Sequence, residues 1–342
     1  MIRVGVVGYG YWGPNLARAV SETDNLELRM IADLSSDALQ RARRRHPSAR
    51  LTANWRELIA DTAVDAVVVA TPVGTHFEIA RAALSAGKHV LVEKPMTDSV
   101  TTSAILVSEA AQRSLVLMVD HTFVYTGAVR AIADLIDSGA AGDIYYYDST
   151  RVNLGLFQRD VSVIWDLAVH DFGIMDHLLK ARPVAISASG ACFVPNSLEN
   201  MAHLSVFFDD GAMAHLNVNW LAPVKVRQTL IGGSRRMIIY DDMQTSEKVK
   251  VYDRGVSPKD VQLPSYEHLV SYRIGDMSAP AISSKEALLT ELEEFARCIE
   301  AGATPVTDGA CGLRVVEMLS TATRSMALRG QPVELSMERL AS

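Results

Sequence analysis

Two short constellations in this chain hold the side chains that could move a proton. Glu93-Lys94-Pro95 follows the apolar run His89 to Val92, so a strand delivers an acid and an amine to a turn stiffened by proline. An ammonium group there can exchange a proton with a substrate hydroxyl, and Glu93 can hold the lysine or a cofactor hydroxyl. The second constellation, Trp165-Asp166-Leu167-Ala168-Val169-His170, lies in a stretch from Ile164 to Leu179 whose pattern predicts one amphipathic helix. Asp166 and His170 then share a face at i, i+4, and the acid can orient the imidazole as a general base. His76 opens a helix after Thr71-Pro72, and His121 follows another strand; either can approach a cofactor or serve packing. No group of His, Cys and carboxylate residues has zinc spacing, so no catalytic metal is expected.

What such groups would work with is indicated by Gly8-Tyr9-Gly10-Tyr11-Trp12-Gly13, set directly after the apolar run Ile2 to Val7. Gly8 permits a tight turn, Gly10 lets backbone approach a pyrophosphate, and Gly13 lets the next helix pack closely on the strand. Pro14 suits the first helical turn, and free N–H groups at that end hold phosphates. Asp33 ends a second apolar run, Leu28 to Ala32. A carboxylate there accepts hydrogen bonds from an adenosine ribose and repels a 2'-phosphate, so NAD is expected over NADP. Tyr11, Trp12, Ser35, Thr71, Pro72, His76, Glu93, Lys94, His121 and Trp165 complete the expected cofactor contacts.

These groups need a scaffold, and the patterning supplies two. Val64 to Ala70, His89 to Val92 and Leu115 to Val119 are continuous apolar runs, each of the last two preceded by a helical stretch, as in strands buried on both faces. The alternation predicts a doubly wound parallel sheet of the Rossmann type over residues 1–121, with ligands beyond the carboxyl ends of its strands. From Thr122 to Ser342 strands dominate: Val184 to Phe193, Met201 to Phe208, Ala212 to Trp220, Lys225 to Ile231 and Met237 to Tyr240 follow one another across short turns. This predicts an α+β domain with a large open, mostly antiparallel sheet for substrate binding and oligomerisation. Lys285 to Ala301 and Ala310 to Leu328 read as its closing helices, and residues 253–283, with three prolines, read as a long irregular loop.

A length of 342 residues fits two domains, and 49% apolar with 21% charged residues is ordinary for a globular chain. A net charge of −7 disfavours nucleic acid, so an anionic substrate must be met by local basic residues. Arg151, Asn153, Arg159, Lys225 and Arg227 are candidates for a diphosphate or carboxylate. No stretch has the roughly 20 apolar residues of a membrane helix, and the strand begins at once after Met1, so a cytoplasmic protein is expected. Cys192, Cys298 and Cys311 are expected to be buried reduced thiols.

The glycine loop, Thr71-Pro72 with His76, Glu93-Lys94-Pro95, and Asp166 four before His170, in this order, resemble the glucose-fructose oxidoreductase and inositol dehydrogenase family, Gfo/Idh/MocA, over nearly the whole chain. The resemblance implies acid–base roles for Lys94 and His170 at a reactive alcohol, with Asp166 in support and either of the first two as principal base. It also implies subunit contacts through the open sheet, as a homodimer or homotetramer. Tyr9 to Leu16, Ser149 to Gly155 and Asn219 to Arg227 are similar to the branch of nucleotide-sugar 3-dehydrogenases, with Val169 departing from the proline usual there. The function implied is NAD-dependent oxidation of a secondary ring hydroxyl, at C3 of a nucleotide-linked sugar, or the reverse ketoreduction. Lys94, Arg151, Asn153, Asp166, His170, Lys225 and Arg227 would line the substrate. The alternatives are a dehydrogenase of a free cyclitol, aminoglycoside or deoxysugar intermediate, and a dinucleotide-binding sensor without turnover.

Overall fold

The computed structural model describes residues 1–155, 157, 161–195, 197–258 and 270–335. Contacts divide the chain into two compact units, Met1–Thr126 with Lys285–Ser320, and Gly127–Ser284 with Thr321–Ser342.

In the first unit six parallel strands, β1 (Ile2–Val7), β2 (Leu26–Ala32), β3 (Arg50–Thr52), β4 (Ala66–Val69), β5 (His89–Glu93) and β6 (Leu117–Asp120), stand in the order β3-β2-β1-β4-β5-β6. Helices α1 (Gly13–Glu22), α2 (Ser36–Arg45), α3 (Trp55–Ala60), α4 (His76–Ser85) and α5 (Val100–Gln112) connect them. All four β4 residues are fully buried, which is why this strand is apolar without alternation. The strand order reverses between β1 and β4, and a doubly wound sheet opens its ligand crevice at that point.

The second unit contains α6 (Gly127–Asp137), β7 (Ile144–Leu154), α7 (Val169–Leu178), β8 (Pro183–Ala191), β9 (Met201–Phe208), β10 (Met213–Asn219), β11 (Leu221–Gly233), β12 (Met237–Asp241), β13 (Val249–Pro258) and β14 (Val270–Ser278). With β15 (Val333–Glu334) the strands form a nine-stranded sheet, β14-β13-β12-β11-β7-β10-β9-β8-β15. It is antiparallel except where β7 runs parallel to β10.

Several expectations change. Residues 253–258 and 270–278 are strand rather than irregular loop: β13 and β14 form an antiparallel edge pair, where proline and the exposure of β14 on both faces hide the strand pattern. The expected single helix from Ile164 is a π-helical turn, Ile164–Ala168, followed by α7. Cys192 is exposed, whereas Cys298 and Cys311 are buried. The first closing helix, α8 (Ala287–Ala301), packs with the parallel-sheet unit: Leu288, Leu292 and Phe295 join its core beside Tyr9, Leu16 and Tyr125. The second is α9 (Gly309–Ala327). Among the described residues no helix is long and apolar enough to cross a membrane, and no cluster of His, Cys and acidic residues could hold a metal.

Candidate active site

The glycine loop leaves β1 at Gly8, whose φ of 98° lies in the left-handed region. A Cβ on Gly8 would stand 2.4 Å from the Ala70 carbonyl oxygen, and one on Gly13 only 2.1 Å from the Gly8 carbonyl oxygen. Gly10 is different, because nothing lies within 4 Å of its ideal Cβ. Its lack of a side chain therefore keeps a space open above the loop rather than relieving a protein contact. Trp12 precedes α1 without any side-chain cap, Pro14 follows, and the first turn carries no acid, so the positive end of the helix faces this space unopposed.

Asp33, just beyond β2, accepts the Tyr9 N–H at 2.6 Å on one oxygen and the Ser35 N–H at 2.7 Å on the other. Both anchors are backbone, so the carboxylate is fixed with lone pairs left for ribose hydroxyls. A cleft of about 240 Å³ runs between these parts, lined by residues that include Gly8, Gly10, Asp33, Thr71, Pro72 and Thr75. A pyrophosphate-linked adenosine fits this donor set: open backbone at Gly10, a helix terminus and an anchored acid. Tyr11 is 92% exposed beside the opening.

His76, the first residue of α4, is buried, with Nε2 2.7 Å from the Thr71 carbonyl oxygen and Nδ1 3.0 Å from that of Pro95. Burial pushes its pKa down, although the two carbonyls oppose this. His76 therefore stands between the turn after β4 and the turn after β5, and its neutral ring donates its one N–H to one of the two carbonyls. The second turn carries Lys94, half-buried, whose backbone N–H donates to Glu93 Oε2 at 3.0 Å. The Glu93 carboxyl is itself held well above the usual range by burial and by nearby Asp120. Asp120 ends β6 directly opposite Glu93 and accepts the Trp12 indole N–H at 3.0 Å; His121 beside it is buried. The structure thus gathers Gly8, Gly10, Trp12, Gly13, Asp33, Ser35, Thr71, Pro72, His76, Glu93 and Lys94 at the carboxyl end of one sheet.

In the second unit Asp166 sits in the π-helical turn and accepts the Trp220 indole N–H at 3.3 Å; His170 lies in the first turn of α7. A π turn widens the spacing, so the two are four apart across a change of helical pitch rather than on one α-helical face. Trp165 donates its indole N–H to Thr323 Oγ1 at 3.0 Å. Arg151 is buried in a two-pronged pair with Asp171 at 2.8 and 3.1 Å, and Arg227 pairs with Asp242 at 3.2 Å. The strand register sets Arg227 opposite Arg151, so exposed Lys225 and half-buried Asn153 fall at the same end of the β7–β11 pair. Arg159 lies outside the described residues. Sequence reasoning places Asp120 in a turn beyond a strand without giving it a role, and gives none to Asp171. An acid closing a buried apolar run was the available signal for Asp120; none marked Asp171 as the partner of Arg151.

A family model described as an oxidoreductase family with an NAD-binding Rossmann fold matches residues 2–121, and the GFO/IDH/MocA C-terminal domain matches residues 129–239. The chain is 27% identical to a UDP-N-acetylglucosamine 3-dehydrogenase of Acidithiobacillus ferrooxidans, over 92% of this chain and 94% of that one. It is 26% identical to an NADP-dependent scyllo-inositol 2-dehydrogenase of Bacillus subtilis, over 95% and 93%. The solved structure of the A. ferrooxidans enzyme GnnA superimposes with a TM-score of 0.80 at 25% identity, covering 96% of this chain and 99% of that one.

Proposed function

Because the chain belongs to the GFO/IDH/MocA oxidoreductase family and takes NAD as its coenzyme, we propose that it oxidises a secondary ring hydroxyl, at C3, of a nucleotide-linked sugar, or runs the reverse ketoreduction. NAD, when bound, supplies the hydride acceptor. The observation that carries the reading is the turn at Lys94: Glu93 holds its backbone N–H and buried His76 packs between Pro95 and Thr71, so the ammonium group projects from a supported base. Lys94 exchanges a proton with the sugar hydroxyl. His170, supported by Asp166, is the second acid–base group. Lys225 and Asn153, at one end of the β7–β11 pair, offer a cation and an amide to the nucleotide diphosphate, while Arg227 and the buried Arg151 hold the strands through their own acids. Exposed Tyr145, Leu230, Tyr272 and Ile274 on the open sheet support assembly through it as a homodimer or homotetramer.

The nucleotide-sugar assignment draws on the UDP-sugar relative, which spans nearly the whole chain, and the inositol relative favours a free cyclitol as the second reading. A panel of UDP- and dTDP-sugars, free sugars, aminoglycosides and inositols, each with NAD or NADH, decides between them by nicotinamide absorbance. Turnover confined to nucleotide sugars is expected. Turnover with inositols alone transfers the assignment to the cyclitol, and no turnover in either direction leaves a dinucleotide-binding sensor.

A further inference from the structure

Helix α8 places Leu288, Glu291, Leu292 and Phe295 along one stripe at i, i+3, i+4 and i+7, and all four are buried. Three of these positions are apolar and belong to the core of the parallel-sheet unit; the fourth is a glutamate with no exposed surface. Neither Glu291 oxygen receives a hydrogen bond from any N–H or O–H of the described residues, and no basic side chain among them pairs with it. Its neighbours are Asp120 and Glu93, with Thr122 close by, and Thr122 gives its single hydroxyl proton to Asp120. An ionised carboxylate in such a place would face burial and two further acids, with only the Thr122 hydroxyl, already given to Asp120, to offset them. A neutral carboxylic acid has a donor of its own, and Asp120 is the acceptor beside it. Asp120 in turn holds the Trp12 indole at 3.0 Å. Trp12 is the residue from which α1 begins, and its carbonyl accepts the N–H groups of Asn15 and Leu16.

We propose that Glu291 is a positioning residue for the dinucleotide loop, a neutral acid that donates its proton to Asp120 and thereby fixes the acceptor holding Trp12 at the opening of α1. The chain Glu291–Asp120–Trp12 reaches from a core helix through two buried acids to the half-buried indole at the phosphate-facing end of α1. Burial first, and Asp120 second, keep Glu291 protonated far above the usual carboxylate range. The charged and titratable groups around the chain include Glu93 on β5 with Lys94 after it, buried His121 next to Asp120, Tyr125 on the turn against which α8 packs, and Glu294 one turn along α8. The proposal rests on NAD binding and not on which sugar is oxidised, so its readouts use the coenzyme alone.

The test has three parts. Infrared spectra of the full-length protein at neutral pH should contain the carbonyl band of a protonated carboxylic acid that Glu291→Gln removes; an unchanged spectrum means Glu291 is ionised and overturns the proposal. As pH is raised until that band disappears, the NAD dissociation constant of the unmodified protein, followed by tryptophan fluorescence, should rise roughly tenfold, the scale of one lost charge-assisted hydrogen bond. Glu291→Gln, which keeps an N–H donor without a titrating proton, should hold its neutral-pH affinity over the same range. Constant affinity through the loss of the band in the unmodified protein, or a superimposable profile in Glu291→Gln, overturns it. Trp12→Phe should weaken NAD binding at neutral pH and abolish the pH effect, whereas a pH effect that survives in Trp12→Phe contradicts the route through the indole.

Discussion

In the sheet unit Arg151 and Asp171 are buried together, with side-chain exposures of 6% and 1% and two hydrogen bonds between them, and Ser149 completes the acid's partners. In the parallel-sheet unit Glu93, Asp120 and Glu291 are enclosed together, and the donors that reach them include the Lys94 N–H, the Trp12 indole and the Thr122 hydroxyl. Burial works against the charge of Arg151, yet Asp171 outweighs it and holds the guanidinium protonated. For the glutamates burial wins: Lys94 opposes it at Glu93 without outweighing it, no cation is set against it at Glu291, and both carboxyls are pushed well above the ordinary value of 4.5. The first site balances its charge by geometry and the second by protonation. The second, whose carboxyls titrate above their ordinary range, is the one adjoining the coenzyme loop.

The contrast is broken most forcefully by removing one partner of the balanced pair. Asp171→Ala strands a buried guanidinium and should cost about 3–5 kcal/mol of unfolding free energy in urea, with most of it recovered when Arg151→Met and Asp171→Leu are combined. A loss below about 1 kcal/mol would mean that the pair is not the balanced element described.

A smaller effect should appear in the pH dependence of stability. Glu93 and Glu291 keep their protons in the folded chain but lose them in the unfolded chain above about pH 4.5. Their contribution is therefore complete at low pH and drains as pH rises toward their raised folded values, so the slope of unfolding free energy against pH should be negative there and shallower in Glu291→Gln. Asp65, lowered from 3.8 to about 2 chiefly by its hydrogen bond with Arg3, has the opposite sign. Its small share is present above pH 3.8 and lost as pH falls toward 2, which acid titration of Asp65→Asn should show as a weaker acid transition.

Much of the fold is legible because its elements are local. Continuous apolar runs mark β1, β4 and β5, and the glycine loop in register with Asp33 marks the coenzyme cleft, since each signal is complete within a few residues. The π turn at Ile164–Ala168 is not legible, because the same side-chain sequence satisfies an α-helical pattern until the backbone takes its wider pitch. The β13–β14 pair is hidden by Gly255, Pro258 and Gly275, and by edge exposure that blurs the two-residue alternation. Lys94 and its turn could be read as a site, but the position of His76 between two turns could not, since its two carbonyl neighbours are distant in sequence. Glu291 is the most instructive case. A glutamate on an amphipathic helix reads as a solvated residue, and only the return of α8 to the first unit encloses it beside Asp120.

The proton-exchanging role of Lys94 is tested by the kinetics of Lys94→Ala with the substrate found in the panel, measured together with its NAD dissociation constant. Loss of the proton-exchanging group should lower turnover by about 10²–10⁴-fold while coenzyme affinity stays within about threefold of the unmodified protein. Retained turnover would remove Lys94 from the chemistry and contradict the account.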